Sequence, residues 1–409
     1  MKVSAISSAS NGRPTRLKVL LLLSSLHGGG AERVAVHLLA GLDPARFDVR
    51  MGLLRAAGPY LAEADAAQIA VAPDSERFDF DGPNSGLFRR ATLFSGIFAA
   101  PRAFRSMIEE FRPDLVLSFL KGTNLIVWRA LAGLSPENRP RWIAREGNNV
   151  LAVIEQETPG PLAAKAVRAI TARAYRQADR VLTLSEGMAG DIAGQLGLDP
   201  AKVAWIPNPV DLDAVQRRAH EPLAHRPPRP FILTAGRLEH QKGHDLLLRA
   251  FAASGAAASH DLVILGTGSL EAELRALAER LGIAAQVRFG GFVANPFAWM
   301  ARCDLFVLPS RWEGFGSALA EAMAAGAPVL AANCDYGPRE IVTHGDDGWL
   351  VPVDNQAALG AAMMRLLGDP GLRQRLATAG RLSATRFALP TILERYAALL
   401  EQTAALAAR

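Results

Sequence analysis

The sequence predicts an α/β protein of two Rossmann-like domains, each a parallel sheet with helices on both faces. Two series of short apolar runs alternate with helical patterns, the first starting at Leu17 and the second at Phe231. Such alternation is typical of parallel strands that are connected by helices. A proline-rich stretch, 207–230, separates the two series. Because ligands of such sheets bind beyond the carboxyl ends of the strands, we expect a ligand in a cleft between the two domains.

The chain length fits two domains of ordinary size. With 409 residues, 50% of them hydrophobic, the chain can bury two substantial cores. The first residues lack periodicity and predict a disordered tail, and the proline-rich stretch predicts a linker. The predicted boundaries are a tail at 1–15, an N-terminal domain at 16–207, a linker at 208–229, a C-terminal domain at 230–387 and a final helix at 388–409.

Composition and charge argue against several classes of protein. The net charge of +5 comes from 45 basic and 40 acidic residues, and the basic residues are spread along the chain. We therefore expect no nucleic-acid partner, while the mild basicity suits an anionic membrane surface. The two cysteines form neither a disulfide framework nor a metal-ligand cluster, and they fit a reducing cytoplasm. No apolar stretch approaches the ~20 residues of a membrane span.

The first series is assigned from its hydrophobic pattern. An apolar strand precedes a glycine-rich turn and an amphipathic helix, and two further apolar strands follow. Leu87–Phe111 mixes aromatic, aliphatic and Arg residues at helical spacing, which predicts a helix pair that either lies on an anionic lipid surface or packs within the protein. The predicted strands are Leu17–Ser24, Asp114–Phe119 and Arg180–Leu184, and the first predicted helix is Ala31–Leu42.

The second series repeats the alternation after the linker. Its strands are short and apolar, as expected for a sheet covered on both faces. The predicted strands are Phe231–Gly236, Asp261–Leu265, Val287–Gly290, Asp304–Leu308, Pro328–Ala332 and Trp349–Val351. The predicted helices are Asp245–Ala253, Leu270–Leu281, Ser317–Ala325, Gln356–Leu367, 370–387 and a last helix from Pro390.

One glycine-rich turn joins a predicted buried strand to an apolar helix and carries two carboxylates, Glu313 in the turn and Glu321 in the helix. Backbone N–H groups and the helix dipole at such a turn suit a phosphate, and carboxylates suit sugar hydroxyls. A Glu321 buried in an apolar helix needs a hydrogen-bond partner, and a ribose diol is one candidate. The alternative is two solvated carboxylates, or a Glu321 that pairs with an Arg.

Two cations follow the first strand of the second series. Arg237 lies at the end of that strand, and Lys242 comes just before Gly243 at a helix start. Together they could clamp a diphosphate and stabilise its departure. The alternative is two ordinary surface cations, although only six residues of the whole chain are Lys.

Glycine turns follow two other strands. Gly29 and Gly30 come after the first strand of the chain, and Gly266 after a strand of the second series. Without Cβ atoms these backbones could approach a phosphate or a sugar, but a simple strand-to-helix connection at Gly266 explains its glycine equally well. The spacing matches neither an ATP-binding nor an NAD-binding glycine motif.

These segments together resemble the retaining glycosyltransferases of family 4, which have the GT-B architecture. The resemblance extends from about residue 17 to near the end of the chain, and its narrower likeness is to bacterial enzymes that extend surface polysaccharides or lipid-linked oligosaccharides. The strand end at Ser118–Asn124 lacks the His that many relatives carry near the donor sugar. The matching segments are Gly28–Glu32, Gly236–Gly243, Gly266–Gly268, Glu313–Glu321 and Gly337–Glu340.

The resemblance implies a role for each candidate residue. Arg237 and Lys242 would hold the donor diphosphate, and Glu313 would contact the donor sugar; these three are the candidate catalytic residues. The family implies neither a metal nor a cofactor, and its last helix crosses back onto the N-terminal domain. The implied donor-binding residues are Gly29, Gly30, Gly266, Phe292, Val293, Phe315, Gly316, Ser317 and Glu321.

The function implied by the resemblance is transfer of a sugar, with retained configuration, from a nucleoside-diphosphate sugar to a glycan or lipid-linked glycan. A UDP-sugar is the expected donor, and the expected location is the cytoplasm, at the inner face of the membrane. Three alternatives remain open at this point: a sugar-nucleotide epimerase, a glycogen-synthase-like enzyme, and a noncatalytic nucleotide-sugar-binding partner of another transferase.

Overall fold

The computed structural model describes residues 16–27, 29–73, 88–223 and 226–407. The predicted tail at 1–15 and Gly28 of the first glycine turn lie outside the described residues.

Two parallel sheets form the framework of the protein. The strands are β1 Leu17–Leu23, β2 Phe47–Leu53, β3 Ile69–Val71, β4 Leu115–Phe119, β5 Arg141–Arg145, β6 Arg180–Thr183, β7 Val203–Trp205, β8 Phe231–Ala235, β9 Asp261–Leu265, β10 Val287–Gly291, β11 Leu305–Leu308, β12 Val329–Ala332 and β13 Trp349–Val351. The first sheet has seven strands in the order β3-β2-β1-β4-β5-β6-β7, and the second has six in the order β10-β9-β8-β11-β12-β13. The predicted α/β class with two parallel sheets is therefore confirmed.

Helices connect successive strands, as parallel pairing requires. The helices are α1 Gly30–Gly41, α2 Phe88–Phe111, α3 Lys121–Leu131, α4 Val150–Glu157, α5 Pro161–Arg176, α6 Glu186–Leu196, α7 Leu212–Ala219, α8 His244–Ser254, α9 Glu271–Arg280, α10 Phe297–Met300, α11 Ser317–Ala324, α12 Pro338–Ile341, α13 Gln356–Gly368, α14 Pro370–Ser383 and α15 Leu389–Ala404. The pair of helices predicted at Leu87–Phe111 is wrong, because α2 runs as one helix through Pro101.

In each sheet the first strand in sequence is an interior strand, third from one edge. β8 pairs with β9 on one side and with β11 on the other, and β1 pairs in the same way with β2 and β4. The order of connections reverses at this central strand, which is where ligands of such sheets bind. The loops that follow β8 and β11 therefore leave the second sheet side by side.

Apolar strands covered on both faces supply the core of the second sheet. β8, β9 and β11 are buried almost throughout. One face packs against α11 and its neighbours, and the other packs against α8, α9 and α13. This double cover is why these strands are continuous apolar runs rather than alternating ones.

The chain divides into two compact units, Met1–Ile143 with Ala397–Arg409, and Ala144–Tyr396. Within the first unit, Arg46 donates from Nε to Glu401 of the last helix at 3.0 Å. This contact confirms that the C-terminal residues return to the N-terminal part of the chain. The predicted domain boundaries stay a prediction.

Among the described residues, four strands and six helices were missed by the sequence analysis; the helices are α3, α4, α5, α7, α10 and α12. The strands β2, β3, β5 and β7 are short or interrupted by polar residues. Helix α7 lies inside the predicted linker, where the flanking prolines conceal its pattern. Asp211 caps this helix by accepting from the backbone N–H of Ala214 at 2.9 Å.

Candidate active site

Two predicted catalytic residues form an ion pair. Lys242 Nζ lies 2.5 Å from Glu313 Oε1, and the hydroxyl of Ser310 donates to the same oxygen at 2.7 Å. The side chain of Glu313 is 5% exposed and that of Lys242 17%. The pair joins the turn after β8 to the turn after β11, which the strand order places next to each other.

A glycine allows these two turns to touch. Gly243 ends the turn after β8 with a φ of +65°, in the left-handed region. A Cβ atom there would lie 2.2 Å from the carbonyl oxygen of Pro309, at the start of the turn after β11. Both the backbone conformation and the available space therefore require glycine beside Lys242.

Gln241 is a buried residue of the site that the sequence analysis missed. Its Oε1 accepts from Arg237 Nη2 at 3.2 Å, and its Nε2 donates to the carbonyl oxygen of Trp312 at 2.9 Å. The same Nε2 lies 3.4 Å from Oδ1 of Asn148. The amide thus links Arg237, whose side chain is exposed, to the turn that carries Glu313.

His244 fixes the backbone of Arg237 through a hydrogen bond. The imidazole is 2% exposed, and its Nε2 lies 3.3 Å from the carbonyl oxygen of Arg237. Because a carbonyl only accepts, Nε2 carries the proton and donates. Burial, with a contribution from the Lys242 charge, lowers the pKa of His244 to about 4. At neutral pH the ring is therefore an uncharged donor that fixes the backbone of Arg237.

Gly266 is required by packing between turns. It has a φ of +124°, and a Cβ there would lie 2.0 Å from the carbonyl oxygen of Gly236. Gly268 is similarly close to the backbone of Leu238. The glycines after β9 thus let this turn pack directly on the turn that carries Arg237 and Lys242.

A buried hydrogen-bond chain reaches Ser317, the first residue of α11. Arg145 donates from Nη2 to Asn208 Oδ1 at 2.6 Å, and Asn208 donates from Nδ2 to Ser317 Oγ at 2.9 Å. Since Arg145 can only donate, the orientation of the Asn208 amide is fixed. Ser317 Oγ therefore accepts, and its own proton remains available for another acceptor. Sequence reasoning had placed Asn208 in the linker.

The same series of buried hydrogen bonds also fixes the last helix, α15. Arg145 is fully buried and donates from Nε to the hydroxyl of Tyr396 at 2.8 Å. Tyr396 is 1% exposed. One guanidinium at the end of β5 thus holds both Asn208 and α15.

The polar segment after β5 lies against the Glu313 turn. A Cβ at Gly314 would be 2.2 Å from the carbonyl oxygen of Gly147, so the two backbones are in direct contact. Glu146, just before, is 2% exposed and accepts from the Tyr175 hydroxyl at 2.6 Å. The segment after β5 therefore lies directly beside the turn that carries Glu313.

The segment Gly337–Glu340 caps another helix. Both carboxylate oxygens of Glu340 accept backbone N–H groups at the start of α6, from Glu186 at 3.0 Å and Gly187 at 3.1 Å. A carboxylate is favourable at a helix N-terminus. Gly337, with a φ of +65°, approaches the carbonyl oxygen of Phe315. This part of the family-like pattern thus has a structural role.

Family models match both halves of the chain. The model described as Glycosyltransferase Family 4 matches residues 28–214, and the model described as Glycosyl transferases group 1 matches residues 215–383. Together they span every strand of both sheets except β1, and they include the turns that carry Arg237, Lys242 and Glu313. The chain belongs to the glycosyltransferases of family 4.

Relatives and solved structures agree with this assignment. An enzyme of Campylobacter jejuni named N-acetylgalactosamine-N,N'-diacetylbacillosaminyl-diphospho-undecaprenol 4-alpha-N-acetylgalactosaminyltransferase is 29% identical over 370 residues, which are 90% of this chain and 95% of that protein. The Rhizobium meliloti lipopolysaccharide core biosynthesis glycosyltransferase LpsD is 32% identical over 172 residues, 42% of this chain and 49% of its own. The Anabaena protein HepE in complex with UDP-glucose has the same fold, with a TM-score of 0.75 at 20% identity, covering 95% of this chain and 100% of that chain.

Of the other predicted donor residues of this glycosyltransferase, Phe315 and Gly316 precede α11, Ser317 and Glu321 lie on it, and Phe292 and Val293 follow β10. Gly316 adopts a φ of +91° before the helix, and Phe315 is buried with its ring 5.1 Å from that of Phe387. Glu321 is 8% exposed, as expected for a carboxylate on an apolar helix. Phe292 is 60% exposed, whereas Val293 packs against the core.

The N-terminal candidates of this glycosyltransferase belong to the other compact unit. Gly29 and Gly30 lie at the start of α1 in the first unit. Their predicted closure on the donor stays a prediction. The strand end without the family's usual His has an internal network instead: Ser118 donates to Asn124 Oδ1 at 2.6 Å and accepts from Trp142 Nε1 at 2.8 Å.

Among the described residues, no three His, Cys, Asp or Glu side chains are placed to share a metal ion. Within the same parts of the chain, no helix combines the length and the apolar character that crossing a bilayer would need.

Proposed function

We propose that this glycosyltransferase moves a sugar from a UDP-sugar to a hydroxyl of a glycan or lipid-linked glycan, with retention of configuration. The contact between Lys242 and Glu313 carries the proposal. It places a cation and a buried carboxylate at the carboxyl ends of two neighbouring strands, β8 and β11. Each of the two turns leads into a helix N-terminus, where anions bind.

Different residues of the site bind different parts of the donor. Arg237 and Lys242 hold the diphosphate, helped by the start of α11 and the free proton of Ser317. Glu313 accepts hydrogen bonds from the sugar, and Glu321 accepts from the ribose diol. Two fixed cations stabilise the charge that grows on the leaving diphosphate, which is electrostatic catalysis without a metal.

The reaction proceeds on one face of the sugar. The bond from the anomeric carbon to the diphosphate oxygen breaks, and a bond to the acceptor oxygen forms on the same face. The acceptor proton moves to the departing phosphate oxygen. Glu313 is occupied by Lys242 and Ser310, which favours this course over attack by a protein carboxylate.

The donor and acceptor classes are supported by the named relatives. HepE binds UDP-glucose, and the Campylobacter enzyme is named for a diphospho-undecaprenol substrate. We therefore assign residues 16–207 to the acceptor side and residues 230–387 to the donor. A lipid-linked acceptor would place the enzyme at the cytoplasmic face of a membrane, in peripheral contact with anionic lipid.

A donor panel followed by two substitutions tests the proposal. The UDP-sugar that is used should raise the thermal unfolding temperature more than its GDP counterpart. Lys242→Ala and Glu321→Gln should then lower transfer, whereas the matched surface changes Lys202→Ala and Glu279→Gln should not. Full turnover in both site variants would contradict the site assignment. Epimerised free sugar, a homopolymer, or tight UDP binding without transfer to any acceptor would contradict the function.

A further inference from the structure

Helix α5 presents an apolar stripe to solvent. Leu162 is 84% exposed and Ile170 48% exposed, although both are large hydrophobic residues. They lie eight residues apart, and the exposed alanines Ala166 and Ala169 lie between them. At 3.6 residues per turn these four positions share one face of the helix.

The same face carries positive charge. Lys165 and Arg173 are exposed, and with the four apolar residues they fall in a sector of about 140° around the helix axis. The segment Pro161–Arg176 contains no Asp or Glu. The stripe of Leu162, Lys165, Ala166, Ala169, Ile170 and Arg173 is thus both apolar and cationic.

The remaining contacts of α5 hold this stripe outward. Arg168 donates to the carbonyl oxygen of Gln195 at 2.8 Å, and Arg176 donates to those of Leu196 at 2.8 Å and Gly197 at 3.1 Å. These carbonyls lie at the end of α6, where cations are favourable. Arg168 and Arg176 therefore fix the helix, whereas Lys165 and Arg173 make no contact of this kind within the part of the chain that the structure describes.

We propose that the α5 stripe docks on an anionic lipid surface. Leu162 and Ile170 would enter the boundary between headgroups and acyl chains, while Lys165 and Arg173 meet anionic headgroups. The alanines leave the face smooth, so docking needs no matching shape. This inference rests on the proposed function and assigns its membrane contact to a particular helix. The sequence had suggested Leu87–Phe111, now α2, for that contact, but the side chains in the first half of α2 lie outside the described residues.

Charge decides between a lipid surface and a second copy of the chain. A symmetric dimer through this face would bring Lys165 and Arg173 towards their own copies. No carboxylate of α5 is present to pair with them. A lipid surface of opposite charge removes this repulsion.

Vesicle sedimentation of the full chain tests the proposal. The vesicles are phosphatidylcholine alone or with 30% phosphatidylglycerol, at low and at high salt. We expect wild-type protein to bind the anionic vesicles, and high salt to weaken the binding. Lys165→Gln/Arg173→Gln should weaken it about thirtyfold, from roughly 1 kcal/mol per basic residue. Leu162→Gln/Ile170→Gln should weaken it roughly tenfold or more.

Matched substitutions elsewhere serve as controls. Leu382, which is 73% exposed on α14, is the control for the apolar residues of the stripe. Lys202 and Arg280 together are the control for its two basic residues. Leu382→Gln and Lys202→Gln/Arg280→Gln should bind vesicles as the wild type does. Stabilisation of each variant by UDP shows that the donor site is intact.

Three results would overturn the proposal. They are equal binding to neutral and anionic vesicles, unchanged binding by both stripe variants, and a wild-type dimer in sedimentation velocity that Leu162→Gln/Ile170→Gln dissociates. Failure of the proposed function looks different. A protein that binds vesicles through the stripe but transfers no sugar would remove the enzymatic proposal and leave this one standing.

Discussion

The ion pair between Lys242 and Glu313 predicts a large energetic coupling. Lys242→Met leaves a carboxylate that is 5% exposed with the Ser310 hydroxyl as its remaining partner in the turn. Breaking a buried pair in this way costs about 3–5 kcal/mol. Glu313→Gln should cost less, roughly 1.5–3 kcal/mol, because Gln still accepts from Ser310 and the ammonium, at 17% exposure, can reach water.

The double variant Lys242→Met/Glu313→Gln removes both charges together. We therefore expect its cost to fall short of the sum of the single costs by about 2–3 kcal/mol. The assay is thermal unfolding of wild type and three variants, where Lys242→Met alone should lower Tm by roughly 6–20 °C. The control is the exposed pair Arg275–Glu271, joined at 2.8 Å on α9, whose coupling should stay below about 0.5 kcal/mol.

UDP binding adds a second measurement to the same variants. Glu313→Gln releases Lys242 from its counter-charge, so UDP should bind at least as tightly as to the wild type while sugar transfer falls. Lys242→Met should weaken UDP binding. Additive stability costs, or a coupling no larger than that of Arg275–Glu271, would refute the buried pair.

Three further predictions concern the neighbours of this pair. Asn208→Asp should leave Tm unchanged, since the carboxylate still accepts from its Arg partner. It should raise the donor KM about 10–100-fold, because the hydroxyl of Ser317 would donate to the new carboxylate instead of the donor phosphate. Ser317→Ala should raise the donor KM by a similar factor, and the double variant should raise it no further. His244 should contribute a loss of about 2 kcal/mol in the free energy of unfolding from pH 7 to pH 5, because unfolding lets it take up a proton that its folded-state pKa of about 4 excludes. The variant His244→Gln, which still donates, should lack this contribution. Gly314→Ala should destabilise the protein by about 1–3 kcal/mol, because its Cβ would meet the Gly147 carbonyl oxygen at 2.2 Å.

Each of these has an outcome that would contradict it. Additive KM effects of Asn208→Asp and Ser317→Ala would mean that the two side chains act separately. An unchanged pH dependence in His244→Gln would show that the imidazole is not buried in its neutral form. The control for Gly314 is Gly194→Ala in α6, where no atom lies within 4 Å. It should raise stability by up to about 1 kcal/mol, and an equal loss at both glycines would count against the contact with Gly147.

Local patterns predicted the fold and the two central turns because each signal lies within a few residues. The apolar run of β11, the glycines after it and the apolar α11 are contiguous. Lys242 and Glu313 were predicted separately, and the order of β8 and β11 in the sheet explains why they meet. The fold class, which depends on strand and helix alternation alone, was confirmed.

The missed parts depend on contacts between distant segments. Asn208 and Ser317 are 109 residues apart, and nothing around Asn208 except two prolines distinguishes it. Gly314 was interpreted as part of a phosphate-binding turn, but the atom nearest its missing side chain belongs to Gly147. Gln241 lies between Arg237 and Lys242 in the sequence, and no sequence motif marks it as a site residue. Such roles follow from three-dimensional neighbours, which hydrophobic periodicity does not encode.

The buried guanidinium of Arg145 has a consequence for recombining enzymes of this family. A chimaera that joins one enzyme's N-terminal half to another's C-terminal half at the proline-rich stretch would inherit Arg145 from one parent and Ser317 and Tyr396 from the other. These three residues belong to one buried hydrogen-bond network. If the two parents differ at any of them, buried polar groups of the chimaera would lose their hydrogen-bond partners. Exchange of acceptor specificity should therefore move β5, Asn208 and the last helix as a set, and the useful crossover points lie outside that set rather than in the apparent linker.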